Sequence, residues 1–176
     1  LAALLDVNLT LGVFAIAVTT VLFPELSRLS SMGRESDFSG TFHRGLGLIW
    51  MITLPAALGL VLMADPILGL LFQWGLFGAG EVAAALPVLQ VAALGLPLYA
   101  WSTLLTRAWY ARQQLRLPVI LAGLNLFLNL GLGLVLMQAY GVIGLALANP
   151  LSALVHCLLL QAFLPAVRFP GLKWRG

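Results

Sequence analysis

Charge is what this chain has least of. Nine Lys or Arg and six Asp or Glu make up 9% of its 176 residues, against about 25% in a soluble domain. Fifteen charged side chains cannot cover a water-soluble fold of this length. Hydrophobic residues reach 61% and mean hydropathy is +1.04, so the class is an integral membrane protein. Cysteine is scarce as well. Cys157 stands alone, which excludes an intrachain disulfide and a cysteine-based metal cluster. His43 and His156 are the only histidines, and neither has a catalytic partner nearby in sequence. Nucleophile–base pairs, metal clusters and phosphate loops are missing, so no catalytic residue is assigned and an enzyme is not expected. The chain starts at Leu1 and enters an apolar run without a charged leader. It reads as a piece of a longer membrane protein.

What is present is long apolar runs. A spanning helix needs about 20 mostly apolar residues, and five segments qualify. They cover about 2–23, 46–64 (with Pro55), 82–106 (with Pro87 and Pro97), 118–137 and 142–167 (with Pro150). Pro118 sits at the favoured first position of the fourth helix. A short piece, PILGLLFQWGLF at 66–77, is too brief to span and is expected as an interfacial turn or helix. The fold expected is all-α: one polytopic bundle over 1–176 with no separate soluble domain.

The net charge of +3 and pI near 9.6 could suggest nucleic acid, but the placement of the charges argues against that partner. Arg28, Arg34 and Arg44 follow the first run. Arg107, Arg112 and Arg116 follow the third. Arg168, Lys173 and Arg175 follow the fifth. The intervening connections carry no Lys or Arg. Cytoplasmic loops hold the Lys/Arg excess, so these three connections, and the C-terminal end, are expected in the cytoplasm. The stretch RAWYARQQLRLP (107–118) is therefore a cytoplasmic anchor, with arginines available to anionic headgroups and Trp109 and Tyr110 in an aromatic belt.

The order of that stretch resembles a pattern of the MurJ/MviN family of lipid II flippases, R-A-F-Y-A-R-Q-D-x-x-T-P-V. Arg107, Tyr110, Arg112 and Pro118 match it, while Trp109, Gln114 and Leu117 replace Phe, Asp and Thr. LGVFAIAVTTVLFPELS (11–27), LFQWGLF (71–77), GVIGLALA (141–148) and PGLKWRG (170–176) are similar to further family segments in the same order. The resemblance implies a MurJ-like fold, also called MATE-like, with this chain as roughly the eighth to twelfth of fourteen helices. It implies a multi-pass protein of the bacterial plasma (inner) membrane. Its partners would be membrane lipids and a lipid-linked peptidoglycan precursor, the undecaprenyl-pyrophosphate disaccharide-pentapeptide. This substrate would be moved between leaflets by alternating access, without covalent chemistry. The family places a cavity arginine near the position of Leu5, yet no arginine precedes Leu11 here. Substrate contacts are therefore not assigned. An exporter of other lipid-linked oligosaccharides, a drug/cation antiporter and a non-transporting scaffold stay open.

Polar residues at membrane depth are costly and often functional. Ala122, Asn125, Asn129 and Gly133 follow helical spacing in the fourth run, and Asn149, Ser152 and His156 do so in the fifth. Pro150 cannot donate to the Ala146 carbonyl. Asn125, Asn129, Asn149 and that carbonyl are thus a candidate site for a hard cation, with Na⁺ or H⁺ coupling as the expectation and no organic cofactor. The alternative is an interhelical hydrogen bond. Asn side chains alone bind Na⁺ weakly, so a carboxylate from Asp6 or from outside the chain would be needed.

Overall fold

The computed structural model describes residues 20–72 and 79–164, with side chains outside 71–83. Five helices follow in order: α1 (20–31), α2 (Glu35–Phe72), α3 (Ala79–Ala111), α4 (Arg116–Tyr140) and α5 (Val142–Phe163). No strand occurs among the described residues. Four of the helices are long and apolar enough to cross a membrane. The first expected span lies mostly outside the described residues. Its end forms α1, which runs on to 31 rather than stopping at 23.

Local chemistry sets the turns. At the end of α1, Gly33 adopts φ 66°, and Gly33 and Arg34 donate to the Ser30 and Leu29 carbonyls, both at 3.1 Å. This pairing satisfies orphan carbonyls at a helix end. The same pairing closes α3, where Gln113 and Gln114 donate to Tyr110 and Trp109 at 2.9 and 3.2 Å. Here Gln113, at φ 58°, occupies a conformation that favours glycine. Gly141, at φ 61°, is the one residue between α4 and α5, and donates to the Met137 carbonyl at 2.9 Å.

Several helices overrun their expected limits. α2 has 38 residues, about 57 Å at 1.5 Å per residue, well beyond the ~30 Å hydrocarbon thickness. Its first turn carries Glu35 and Asp37, which suit the positive end of the helix dipole. It also continues through Pro55 and Pro66. In an apolar setting the freed backbone has no water to turn to, so one lost hydrogen bond does not end the helix. Residues 66–72 are therefore the last turns of α2, not a separate interfacial element, and 73–77 lie outside the described residues. α4 begins two residues before Pro118, which takes the third helical position. Arg107 belongs to α3 and Arg116 to α4, so the connection between them is only 112–115.

α3 is central and packs on both α2 and α5, while α4 packs on α5. Trp50 meets Trp101 edge-on at 5.9 Å, and Gln90 Nε2 donates to the Val61 carbonyl at 3.4 Å. These contacts fix the antiparallel α2–α3 register. The main core lies toward one end, where Leu26, Phe38, Phe42, Leu104, Leu105 and Leu160 are fully buried. That end also holds Arg28, Arg34 and Arg112, whereas Gly80 and Tyr140 belong to helix termini at the other. The outer surface of these helices is apolar: Val21 and Leu62 are 78% and 80% exposed.

At the tip of α1, Glu25 accepts two hydrogen bonds from Arg28, at 2.7 and 3.1 Å. The guanidinium holds the Glu25 carboxyl below its ordinary range. Its small contribution is present above the unfolded pKa and is lost as pH falls through the lowered one. Solvent screens this exposed pair.

Candidate functional site

The polar residues of α4 and α5 meet in one seam. Asn129 Nδ2 donates to Asn149 Oδ1 at 2.7 Å and to Ser152 Oγ at 2.9 Å. The Ser152 hydroxyl in turn donates to the Asn149 carbonyl at 3.0 Å. Farther along, His156 is buried on the same face of α5. Asn125 sits one turn from Asn129 toward Leu121, and its Oδ1 is buried without a hydrogen-bond partner, as is His156 Nδ1. Gly133 continues the seam, buried against Leu145 and Ala148.

Asn129 and Asn149 are thus brought into direct contact, and Ser152 joins them. Sequence spacing puts Ser152 on this face, outside the candidate ligand set of Asn125, Asn129, Asn149 and the Ala146 carbonyl. Asn125 is on the seam without a direct bond to them. Ala146 lies one turn before Asn149. Both line a cleft of about 230 Å³ between α3 and α5, with Val88, Ala92, Tyr99, Val142 and Leu145. Ala122, expected on the small and polar stripe, is exposed, while Leu121 is buried in its place. The buried face of α4 follows Pro118, Leu121, Asn125, Asn129 and Gly133, a spacing of three and then four.

With its amide oriented this way, Asn129 is a donor to two oxygens, which is an interhelical hydrogen bond. Rotating the amide by half a turn instead offers Oδ1, and three oxygens converge. Amides allow both orientations.

The stretch 107–118 behaves differently from an open anchor. Trp109 is 3% exposed, and its indole N–H donates to the Leu160 carbonyl at 3.1 Å. It belongs to the core rather than to an aromatic belt, whereas Tyr110 is exposed. Arg112 also turns inward. Its side chain is 10% exposed, it pairs with Glu35, and its guanidinium lies 5.0 Å over the Phe38 ring. A headgroup cannot compete for a cation already held by a carboxylate and an aromatic face. Arg107 is half-buried and Arg116 exposed. Pro118 is buried. Asp6, Arg168, Lys173 and Arg175 lie outside the described residues. Among the described residues no group of His, Cys, Asp or Glu could hold a metal ion.

Comparison with known proteins decides the family. The family model described as lipid II flippase MurJ matches residues 3–174. The chain belongs to the lipid II flippase MurJ family. A probable lipid II flippase MurJ of Rhizobium meliloti is 34% identical over 96% of this chain and 30% of its own length. One of Vibrio cholerae is 33% identical over 85% of this chain and 29% of its own length. A solved structure of lipid II flippase MurJ in an inward closed conformation superposes with a TM-score of 0.75 at 28% identity. It covers 86% of this chain and 32% of that one. The chain thus spans about a third of the length of the MurJ relatives it matches. Family and helix composition together make it a multi-pass inner-membrane protein.

Proposed function

We propose that the chain is part of a lipid II flippase. It moves the undecaprenyl-pyrophosphate disaccharide-pentapeptide from inner to outer leaflet by alternating access, with no covalent step. The observation that carries this reading is the MurJ family match over 3–174 on a chain with four spanning helices. The test is translocation by the intact protein in a strain depleted of its own flippase. Restored lipid II flipping supports the reading. Correct insertion without flipping favours a scaffold, for which the lack of arginine before Leu11 speaks. Transport of another lipid-linked oligosaccharide or a drug, but not lipid II, favours the remaining relatives.

The basic end faces the cytoplasm in this reading, since Lys/Arg bias sets orientation. Cysteine labelling in intact cells checks it after Cys157 is replaced. Positions 34 and 112 are expected to resist an impermeant reagent, and 80 and 140 to react. Reaction at 34 from outside overturns the orientation.

Transport is coupled to Na⁺ or H⁺ at the α4–α5 seam. Support comes from the donor set: oxygens of Asn149 and Ser152, a reversible Asn129 amide, and the orphaned Oδ1 of Asn125. Hard cations take oxygen ligands at about 2.3–2.6 Å. The Ala146 carbonyl, freed by Pro150, is the further ligand, and a carboxylate comes from Asp6 or from another segment. Asn129→Ala is expected to weaken the apparent Na⁺ affinity of flipping on the order of tenfold, about 1.4 kcal/mol, with insertion intact. Unchanged transport at limiting Na⁺ leaves the seam as an interhelical hydrogen bond only.

A further inference from the structure

Six arginines gather at the basic end, and they divide by partner. Arg28 pairs with Glu25 at 2.7 Å, Arg34 with Asp37 at 2.6 Å, and Arg112 with Glu35. Glu25, Glu35 and Asp37 are the only acids described at that end, and each is taken. Arg44, Arg107 and Arg116 have no ion pair among the described residues.

Two of them also share a level. The Val61–Gln90, Trp50–Trp101 and Glu35–Arg112 contacts place Arg44 and Arg107 at one height on antiparallel neighbours. Arg44 immediately precedes the apolar run of α2, Arg107 immediately follows that of α3, and Arg116 opens α4 just before its own. Each therefore marks the edge of hydrocarbon, where lipid headgroups begin. Arg34, by contrast, lies ten residues before Arg44, about 15 Å farther out at 1.5 Å per residue. Pairing within the protein is found where water surrounds the cation or where it is buried. It is missing at the headgroup level.

We propose that Arg44, Arg107 and Arg116 form a phosphate-binding rim that holds anionic phospholipid of the adjoining leaflet. A guanidinium fork matches phosphate oxygens, and long side chains lay their stems on apolar surface with the charge at the interface. Exposed Leu48 and Met51, 50% and 76% accessible, follow Arg44 within two turns, so an acyl chain has apolar surface beneath its headgroup. A soluble anion would use only half of this arrangement. That the leaflet is the cytoplasmic one rests on the orientation proposed above. The rim itself does not.

The test titrates phosphatidylglycerol into the intact protein and counts retained lipid by native mass spectrometry. One basic residue near an anionic surface is worth about fivefold. Thus R44Q/R107Q/R116Q is expected to weaken retention roughly 100-fold. R28Q/R34Q, whose arginines already have partners, should stay within about twofold on the same reasoning. The single variants R44Q and R107Q, each expected about fivefold weaker, carry the decision if the triple variant does not fold. Retention unchanged in the triple or the singles overturns the proposal. So does an equal loss in R28Q/R34Q, or displacement by millimolar inorganic phosphate, which would make this a soluble-anion site. A protein that retains the lipid but does not flip lipid II keeps the rim and loses the flippase reading.

Discussion

Replacing Gly144 by alanine is expected to lower the SDS-unfolding midpoint more than alanine at any other of the described glycines. Gly144 is the third residue of α5, buried against α4. A Cβ there would overlap the carbonyl of Leu136 and stand 3.0 Å from the Met137 nitrogen. Both are backbone of the facing helix, so no side chain can rotate away. The helices must part next to a one-residue turn that has no slack. Overpacking costs typically 1–3 kcal/mol, and a backbone obstacle places this one at about 3 kcal/mol on that scale. Small residues at helix contacts let backbones approach, and this is such a contact. The separation would also stretch the Asn129–Asn149 bond, now 2.7 Å. Gly131→Ala is the control. A Cβ at Gly131 meets nothing within 4 Å, and alanine in an exposed helix is favoured over glycine by about 0.8–1.0 kcal/mol. The two substitutions should therefore move the midpoint in opposite directions. A Gly144→Ala protein as stable as its parent would mean that α4 and α5 do not approach this closely.

The sequence revealed some of these contacts and hid others for a physical reason. Run length located the spans, because hydrocarbon demands about 20 apolar residues wherever the chain crosses. It could not locate helix ends, because a helix can pass through Pro66 and extend beyond the bilayer at no signal in hydropathy. Nor could hydropathy show the buried face, since a membrane helix is apolar all round. Leu121 is buried and Leu124 is 51% exposed, yet they are the same residue type. Polar residues did mark the face. Asn129, Asn149 and Ser152 were found by spacing and do meet, because an amide turned toward lipid would go unsatisfied. Tyr110 and Trp109 show the remaining ambiguity. Both suit a belt, but Trp101, Leu105, Ala108, Trp109 and Arg112 share the buried side at spacings of three and four. That signal was available and the charge of Arg112 masked it. The Glu35–Arg112 pair, 77 residues apart, had no sequence signal at all.

Trp109→Ala is expected to cost about 3–5 kcal/mol, the range for truncating a buried Trp or Phe, and Trp109→Phe distinctly less. The contrast separates two roles. One is volume: the ring is 3% exposed and fills the core between α3 and α5. The other is a cap. The Leu164 N–H turns to Gln161 at 3.2 Å instead of reaching back to Leu160. That leaves the Leu160 carbonyl among the orphan acceptors of a helix end. The Trp109 indole satisfies it at 3.1 Å. Phenylalanine preserves most of the volume and removes the donor, which strands a buried carbonyl at about 1–3 kcal/mol. Unfolding midpoints of the intact protein in SDS, read by fluorescence of the remaining tryptophans, give both values. Equal losses for Phe and Ala would assign the whole effect to the hydrogen bond. No loss for Phe would mean that Leu160 finds another donor and that Trp109 acts by volume alone.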